Sequence, residues 1–329
     1  MWTENVYRKV TDKADRKAAM DLFNNCVAEG EVLFKPFVSE REFESFFRSR
    51  EDQVQTVSLI DEERCCFASG CLNAQKTKGY ITFVAVRPDR RRQGIGRSIL
   101  SALERELAEL AGEKVDCEAT FFNPMNFTWI IPGTDHEHPN APGVDVAGNG
   151  YLFLKNCGYR DYAYQNSYYL DMDKYQLTED VQRKQKSLLE KGIEICLYDP
   201  AKHSGIEEML RNLNSELWYK EIMENIRRED GGDPLLIVAK DGRAMGFTGP
   251  LRILENGRGY LAGVGVHSDC RGAGAGTVLF GQLCAHLRDM GAEYMTLFTG
   301  ESNPARNIYE AQGFKIVRTW ADMRKQVKK

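Results

Sequence analysis

Apolar residues recur along this chain in two rhythms, and the same succession of rhythms occurs twice. In the first half, Ile95, Ile99, Leu100, Leu103, Leu107 and Leu110 fall at helical spacing and predict one long helix with a single apolar stripe, stopped at Gly112. The β-branched and aromatic run at 80–86 predicts a strand just ahead of it. Upstream, the pattern predicts a strand at 7–10 and a helix at 16–27 carrying Ala19, Met20, Leu22 and Phe23. A second helix should start at Ser39, with Glu42 as the far side of a capping box and Phe43, Phe46 and Phe47 on its apolar face. Strands follow at 55–59 and 65–72 around the turn Asp61-Glu62-Glu63, and another at 115–122 closes the series.

The second half repeats the order. Strands are expected at 193–197, 235–239, 244–254, 260–266 and 294–299, with helical segments at 206–213 and 216–227. A long helix carries Leu279, Leu283, Leu287 and Met290 on one face and ends at Gly291. Between the halves, residues 178–191 are charged and poor in large apolar side chains, which suggests an exposed linker helix. The reading is an internal duplication, with domains 1–172 and 193–329 joined by a linker at 173–192. Each is an α/β unit with a mixed, mostly antiparallel sheet flanked by helices.

Composition sets the class. The 329 residues are 42% hydrophobic and 28% charged, as suits a globular protein of two domains. A formal net charge of −4 argues against a dedicated nucleic-acid partner. No apolar run reaches membrane-spanning length, and the first residues lack signal-peptide order, so the expected location is the cytoplasm, with no membrane partner. The nine cysteines include no Cys-x-x-Cys pair and read as buried thiols. Asp135-His136-Glu137-His138 sits among Pro and Gly and reads as a solvated loop, so no metal site is expected.

Chemistry enters through a short signature present in both halves, Arg91-Arg92-Gln93-Gly94-Ile95-Gly96 and Arg271-Gly272-Ala273-Gly274-Ala275-Gly276. Both read Arg-x-x-Gly-x-Gly, and each lies between a strand pattern and a helix pattern. Glycine permits a tight turn, and a helix that begins there aims free N–H groups and a positive dipole end at an anion. Neither copy ends in the Gly-Lys-Ser/Thr of a Walker loop, and both lack the third glycine of a dinucleotide fingerprint.

The stretch from Val84 to Gly96 resembles the acetyl-CoA loop of the GCN5-related N-acetyltransferases, the GNAT family. The second half resembles the family there too, and its 303–314 stretch, Asn-Pro-Ala-Arg-Asn-Ile-Tyr-Glu-Ala-Gln-Gly-Phe, is similar to the family's later helix and turn. The likeness covers nearly the whole chain. Two such domains in series are similar in architecture to tandem acetyltransferases such as mycothiol synthase, a likeness that carries no substrate with it.

The resemblance implies acetyl-CoA as cosubstrate and a small amine as acceptor, joined by direct transfer. Backbone amides of Arg92, Gln93, Gly94, Ile95, Gly96 and Arg97, and of Gly272, Ala273, Gly274, Ala275, Gly276 and Thr277, would hold the pyrophosphate, with Arg91, Arg92 and Arg271 adding charge. The strand residues Val84, Ala85 and Val86, and Val264, Gly265 and Val266, would offer backbone groups to pantetheine, and an amide near Val266 would polarise the thioester. Asn303 would cap a helix and reach the coenzyme.

The halves diverge at the implied general acid. Tyr309 stands four residues before Gly313, whereas Leu154 stands four before Gly158 and has no proton to give. The reaction centre is therefore expected in the second half. In the first half the interval is about 25 residues longer, and the extra stretch, 123–148, reads as a lid or binding loop. Trp129 and Tyr151 are candidate pocket residues there, Tyr151 also as a substitute acid. Glu301, Glu216 and Glu221 are weak candidates for a base. Two other readings stay open, a non-catalytic acyl-CoA sensor and transfer onto a protein lysine.

Overall fold

The computed structural model describes residues 6–49, 54–112, 115–120 and 123–327. The chain forms two compact units. The first comprises Met1–Asn166 and Arg318–Lys329, and the second Ser167–Val317. This division differs from boundaries at 172 and 193. The final residues join the first unit because Met323 to Val327 pair antiparallel with Ala119 to Val115.

The first unit contains β1 (Tyr7–Lys9), α1 (Lys13–Ala28), α2 (Glu40–Phe47), β2 (Val54–Asp61), β3 (Cys66–Asn73), β4 (Lys78–Val86), α3 (Ile95–Ala111) and β5 (Val115–Ala119). The short strands β6 (Trp129–Ile130), β7 (Glu137–His138) and β8 (Val144–Asp145) precede α4 (Asn149–Asn156) and the start of β9 (Arg160–Asp171). Strands β1 to β4 are antiparallel neighbours and β4 pairs parallel with β5, so the sheet is mixed, as expected. The strand expected to reach 122 ends at Ala119, and Phe121 and Phe122 lie outside the described residues.

Alternation along β3 builds two cores. Cys66, Ala68 and Leu72 pack with the stripe of α3, and Phe67 and Cys71 pack with α1 and α2. Ser39 caps α2 by accepting from the Glu42 amide, while the Glu42 carboxylate accepts from Val38 rather than from Ser39.

The second unit contains α5 (Glu179–Leu189), β10 (Ile193–Leu197), α6 (Ile206–Asn212), α7 (Glu216–Ile226), β11 (Leu236–Lys240), β12 (Arg243–Gly249), β13 (Gly263–Val266), α8 (Ala275–Asp289), β14 (Tyr294–Gly300), α9 (Arg306–Ala311) and the start of β15 (Lys315–Val327). Strands β10 to β13 form an antiparallel sheet. On β11, Leu236 and Val238 face a core shared with α8, and Ile237 and Ala239 face one shared with α6 and α7.

Helix α5 is not an exposed linker. Thr178 caps it, and its Val181 and Leu188 are buried in the α8 core, where Gly281 leaves room for Val181. Met290 does not continue the α8 stripe. It is the C-cap residue and is half exposed.

Candidate functional site: two glycine cradles on open strand edges

Each signature sits at the end of a strand with one free edge. The Arg87 amide donates to Cys65 and the His267 amide to Met245, so these peptide groups face the inner neighbour strand. Peptide groups alternate along a strand, which turns the N–H and C=O groups of Val84 and Val86, and of Val264 and Val266, to the opposite edge.

That edge is open in both units. Strand β5 pairs with β4 only from Lys78 to Tyr80, and the two part from Ile81 onward. In the second unit Gly259 donates to Tyr294 across a parallel bridge, and no ladder joins β13 to β14 beyond it. A second distortion is confined to β4. Ser69 pairs with Phe83 and Gly70 with Ile81, so Thr82 is bulged out of the ladder.

The turns that follow are alike. Gly94 and Gly274 have φ of 82° and 85°, and each is the N-cap of a long helix that no side chain caps. Gly272, at φ 81°, is matched by Arg92 at 62°, a left-handed position that costs a non-glycine residue strain. The first intrahelical bonds run from Ser98 to Gly94 and from Val278 to Gly274. The amides of Ile95, Gly96 and Arg97, and of Ala275, Gly276 and Thr277, have no acceptor among the described residues. They form the positive end of a helix with nothing to neutralise it.

Gly96 and Gly276 tie each cradle to the later helix. A Cβ on Gly96 would stand 3.2 Å from Phe153, and one on Gly276 would stand 3.3 Å from Ile308. Phe153 and Ile308 each lie five residues before Gly158 and Gly313, so the two halves match in this packing contact as well as in sequence order.

The arginines of the signature do something the sequence did not reveal. Arg91 Nε donates to the Val86 carbonyl at 2.7 Å, and Arg271 Nε to the Val266 carbonyl at 3.0 Å. Each guanidinium therefore clamps the last residue of its strand. Arg91 is also engaged by Glu31, and by Glu29 at 3.5 Å. The signal was available as a constant five-residue interval between strand end and arginine. Arg92 and Gln93 are exposed, with Gln93 bonded to the Asp89 carbonyl, and Arg97 reaches the Asn156 carbonyl. Lys184 of α5 was also missed: its stem passes 3.5 Å from where a Cβ of Gly274 would be.

Tyr309 lies on α9 beside Ile308, its ring 5.1 Å from Phe280 and 6.1 Å from Tyr168. Burial pushes its phenol above the ordinary value. No hydrogen-bond partner for its hydroxyl occurs among the described residues. At the matching place Leu154 is buried. Tyr151 is already engaged. Its hydroxyl donates to Asp161 at 2.8 Å, in a cluster with Lys155 and Tyr164. Asn303 is exposed and does not cap α9, whose N-cap is Ala305 with no side-chain cap; its side-chain oxygen accepts from the Ala305 amide in the turn before the helix.

Of the carboxylates, Glu301 and Glu216 are exposed. Glu221 accepts from Tyr260, whose phenol is raised to about 12 by burial and by that bond.

The inserted stretch of the first unit is a docked wall. Lys35 donates to Thr128 and Ile130 to Leu33, and Trp129 is buried against Trp320 with its indole N–H on the Asn140 carbonyl. The Asp135–His138 stretch is part of a β6–β7 hairpin with His138 buried, not a solvated loop. Between this wall, β4 and β5 lies a cavity of about 160 Å³. Trp129 and Tyr151 do not line it, whereas Leu154 and Thr82 do.

Comparison with known proteins agrees with this doubled geometry. The model of the acetyltransferase (GNAT) family matches residues 22–125 and 203–314. The chain belongs to the GNAT family. It is 35% identical over 100 residues to the mycothiol acetyltransferase of Thermomonospora curvata, a match that spans 30% of this chain and 33% of that protein. In fold it is similar to a GCN5-related N-acetyltransferase from Sphaerobacter thermophilus, with a TM-score of 0.61, 16% identity, and coverage of 100% of this chain and 98% of that one. It is also similar to a tandem GNAT protein from the clavulanic acid biosynthesis pathway, with a TM-score of 0.57, 15% identity, and coverage of 98% of both chains.

Both GNAT regions thus carry a strand edge, an arginine clamp and a glycine cradle. No helix among the described residues is long and apolar enough to cross a membrane. Asp61, Cys65 and Cys66 bring a carboxylate and two thiols together, but that carboxylate is already satisfied. It accepts from the Cys65 and Cys66 amides and from the Cys65 thiol. In this GNAT chain the trio closes the β2–β3 turn.

Proposed function

We propose that the chain is an acetyl-CoA-dependent N-acetyltransferase for a small amine, with its reaction centre in the second unit. The observation that carries this reading is Tyr309, a protonated phenol without a protein partner, one residue from the Ile308 that seals the Gly276 cradle.

The residues present fit acetyl-CoA. Two sets of unpartnered first-turn amides are built for an anion, and close approach depends on glycine at 94 and 274. When bound, acetyl-CoA supplies the acetyl group as a thioester. The amides of Gly272, Ala273, Gly274, Ala275, Gly276 and Thr277 hold pyrophosphate, with Lys184 adding charge. Those of Arg92, Gln93, Gly94, Ile95, Gly96 and Arg97 do the same in the first unit.

Val264 and Val266 present backbone groups to pantetheine, and the Val266 N–H stabilises charge developing on the thioester oxygen. Arg271 fixes that edge through its bond to the Val266 carbonyl. Tyr309 gives its proton to the departing thiolate, a role that suits a phenol with its pKa raised. The attacking amine loses its proton to water, since Glu301 and Glu216 are exposed and Glu221 is engaged by Tyr260.

The test is release of free thiol from acetyl-CoA across a panel of primary amines. Amine-dependent thiol release is expected. Tight coenzyme binding without release under any amine would leave the sensor reading in its place.

A further inference from the structure

We propose that the second unit holds a site of its own for a small planar carboxylate, built around Arg258 and Thr296. The site is separate from acetyl transfer and stands whether or not Tyr309 performs that reaction.

Arg258 is a buried cation without a counter-ion. It is 7% exposed, and its Nε is buried with no hydrogen-bond partner. Among the described residues its guanidinium makes no ion pair and donates no hydrogen bond. Burial pulls its pKa down, and only the phenols of Tyr294 and Tyr260 act against that pull. A guanidinium does not shed its proton in a protein, so a full charge sits in the interior. An unpaired charge there is destabilising, and a bound oxyanion would neutralise it.

The strand register sets out its neighbours. Arg258 is bridged in parallel to Tyr294, and the same parallel course brings Tyr260 to the level of Thr296. Met295 and Leu297 belong to the α8 core, which turns Tyr294 and Thr296 to the opposite face of β14. A Cβ on Gly259 would meet Leu287 of α8, so Arg258 and Tyr260 share that opposite face.

A second, independent observation lies on the same face. Thr296 is 2% exposed, and its hydroxyl is buried without a hydrogen-bond partner. Buried polar atoms are rarely left so. A carboxylate satisfies both groups: it accepts from the guanidinium fork and from the threonine hydroxyl. The rings of Tyr260 and Tyr294 beside them suit a planar body.

The acids nearby are engaged elsewhere. Glu221 accepts from Tyr260 and stands 3.9 Å from Arg252. Asp233 stands 3.6 Å from Arg252 and 3.2 Å from Arg228. Arg252 itself lies over the Tyr260 ring at 3.9 Å. These two carboxylates leave Arg258 unpaired, and their repulsion favours a monoanion over a dianion such as phosphate.

The site also lies away from the reaction centre. Arg258 precedes Val266 by eight residues, on the order of 20 Å of extended chain. It stands where the strand is still bridged to β14, short of the open edge at Val264 and Val266.

The experiment is calorimetric titration of the full chain with benzoate at pH 7 and low salt, without acetyl-CoA, beside benzamide and inorganic phosphate. Benzoate is expected to bind with a Kd below about 1 mM, and both controls at least about tenfold more weakly. Arg258→Met removes the charge and keeps an unbranched stem. It should abolish benzoate binding and leave the ligand-free chain as stable as the parent or more so in thermal unfolding, because an unpaired buried charge is gone. A purely structural arginine would instead lower the melting temperature when replaced. Thr296→Val should weaken benzoate several-fold. Benzoate binding that survives Arg258→Met, equal affinity for benzoate and either control, indifference to Thr296→Val, or a fall of more than about 5 °C in the melting temperature of Arg258→Met would each overturn the proposal. Absence of amine-dependent thiol release with benzoate binding intact would sink only the acetyl-transfer reading.

Discussion

Replacing Tyr309 by Phe removes one oxygen and little else. The ring keeps its contacts with Phe280 and Phe314, and the lost hydroxyl breaks no protein hydrogen bond. Stability should therefore change by no more than about 0.5 kcal/mol, and the melting temperature by roughly 2 °C or less. The chemical effect should be far larger. Burial raises the phenol's pKa above its ordinary value, so it stays protonated at pH 7. A protonated acid at the leaving group contributes about 10²–10⁴-fold in rate. The lower bound corresponds to about 2.7 kcal/mol of barrier. The assay is thiol release at saturating acetyl-CoA and amine, paired with calorimetric coenzyme affinity. A drop in kcat of about a hundredfold or more, with Kd for acetyl-CoA within about twofold, is expected. A kcat within about twofold of the parent would refute the assignment. So would an affinity loss as large as the rate loss, because that would place Tyr309 in coenzyme binding.

Other perturbations probe the cradles and the frame that holds them. Gly274→Ala puts a Cβ at φ 85° and costs about 1–2 kcal/mol of backbone strain, and coenzyme affinity in the second unit should fall with it, as read by titration. Lys184→Ala should weaken acetyl-CoA binding several-fold at low salt and much less at high salt, since its charge acts through solvent. Glu104 is buried and holds Lys325 and the Tyr159 hydroxyl, so Glu104→Ala should destabilise the first unit by about 2–4 kcal/mol in denaturant unfolding. Burial pushes the Asp61 carboxyl up, but bonds from Cys65 and Cys66 outweigh it and hold the pKa below the usual value. Its stabilising contribution is present above the unfolded carboxylate value and lost as pH falls through the folded one, so Asp61→Asn should flatten the acid limb of the stability profile.

Much of the fold is legible in the sequence because its elements are strongly patterned. The α3 stripe buries one face and the apolar run of β11 buries both, and Gly112 sits at φ 81° where the helix was expected to stop. The long strands β9 and β15 escaped notice. Their residues alternate with charged and polar side chains, such as Arg160, Asp161, Arg324 and Lys325, that read as surface until Glu104 and Glu118 are seen to pair with the last two. Pairing between β15 and β5 is non-local, and no local rhythm announces it.

The candidate site divides in the same way. Glycines with positive φ and helix starts are local properties, and so are readable. The cavity is not, because Phe34, Phe83, Phe127 and Trp320 meet only after the inserted stretch docks. The clamping role of Arg91 and Arg271 was signalled only by their constant distance from the strand end, and charge alone suggests a phosphate contact instead.

The most direct test of the doubled cradle is the stoichiometry of acetyl-CoA binding to the full chain by isothermal titration. Two molecules per chain are predicted, with one weakened selectively by Gly274→Ala. No heat at high micromolar coenzyme would contradict the account.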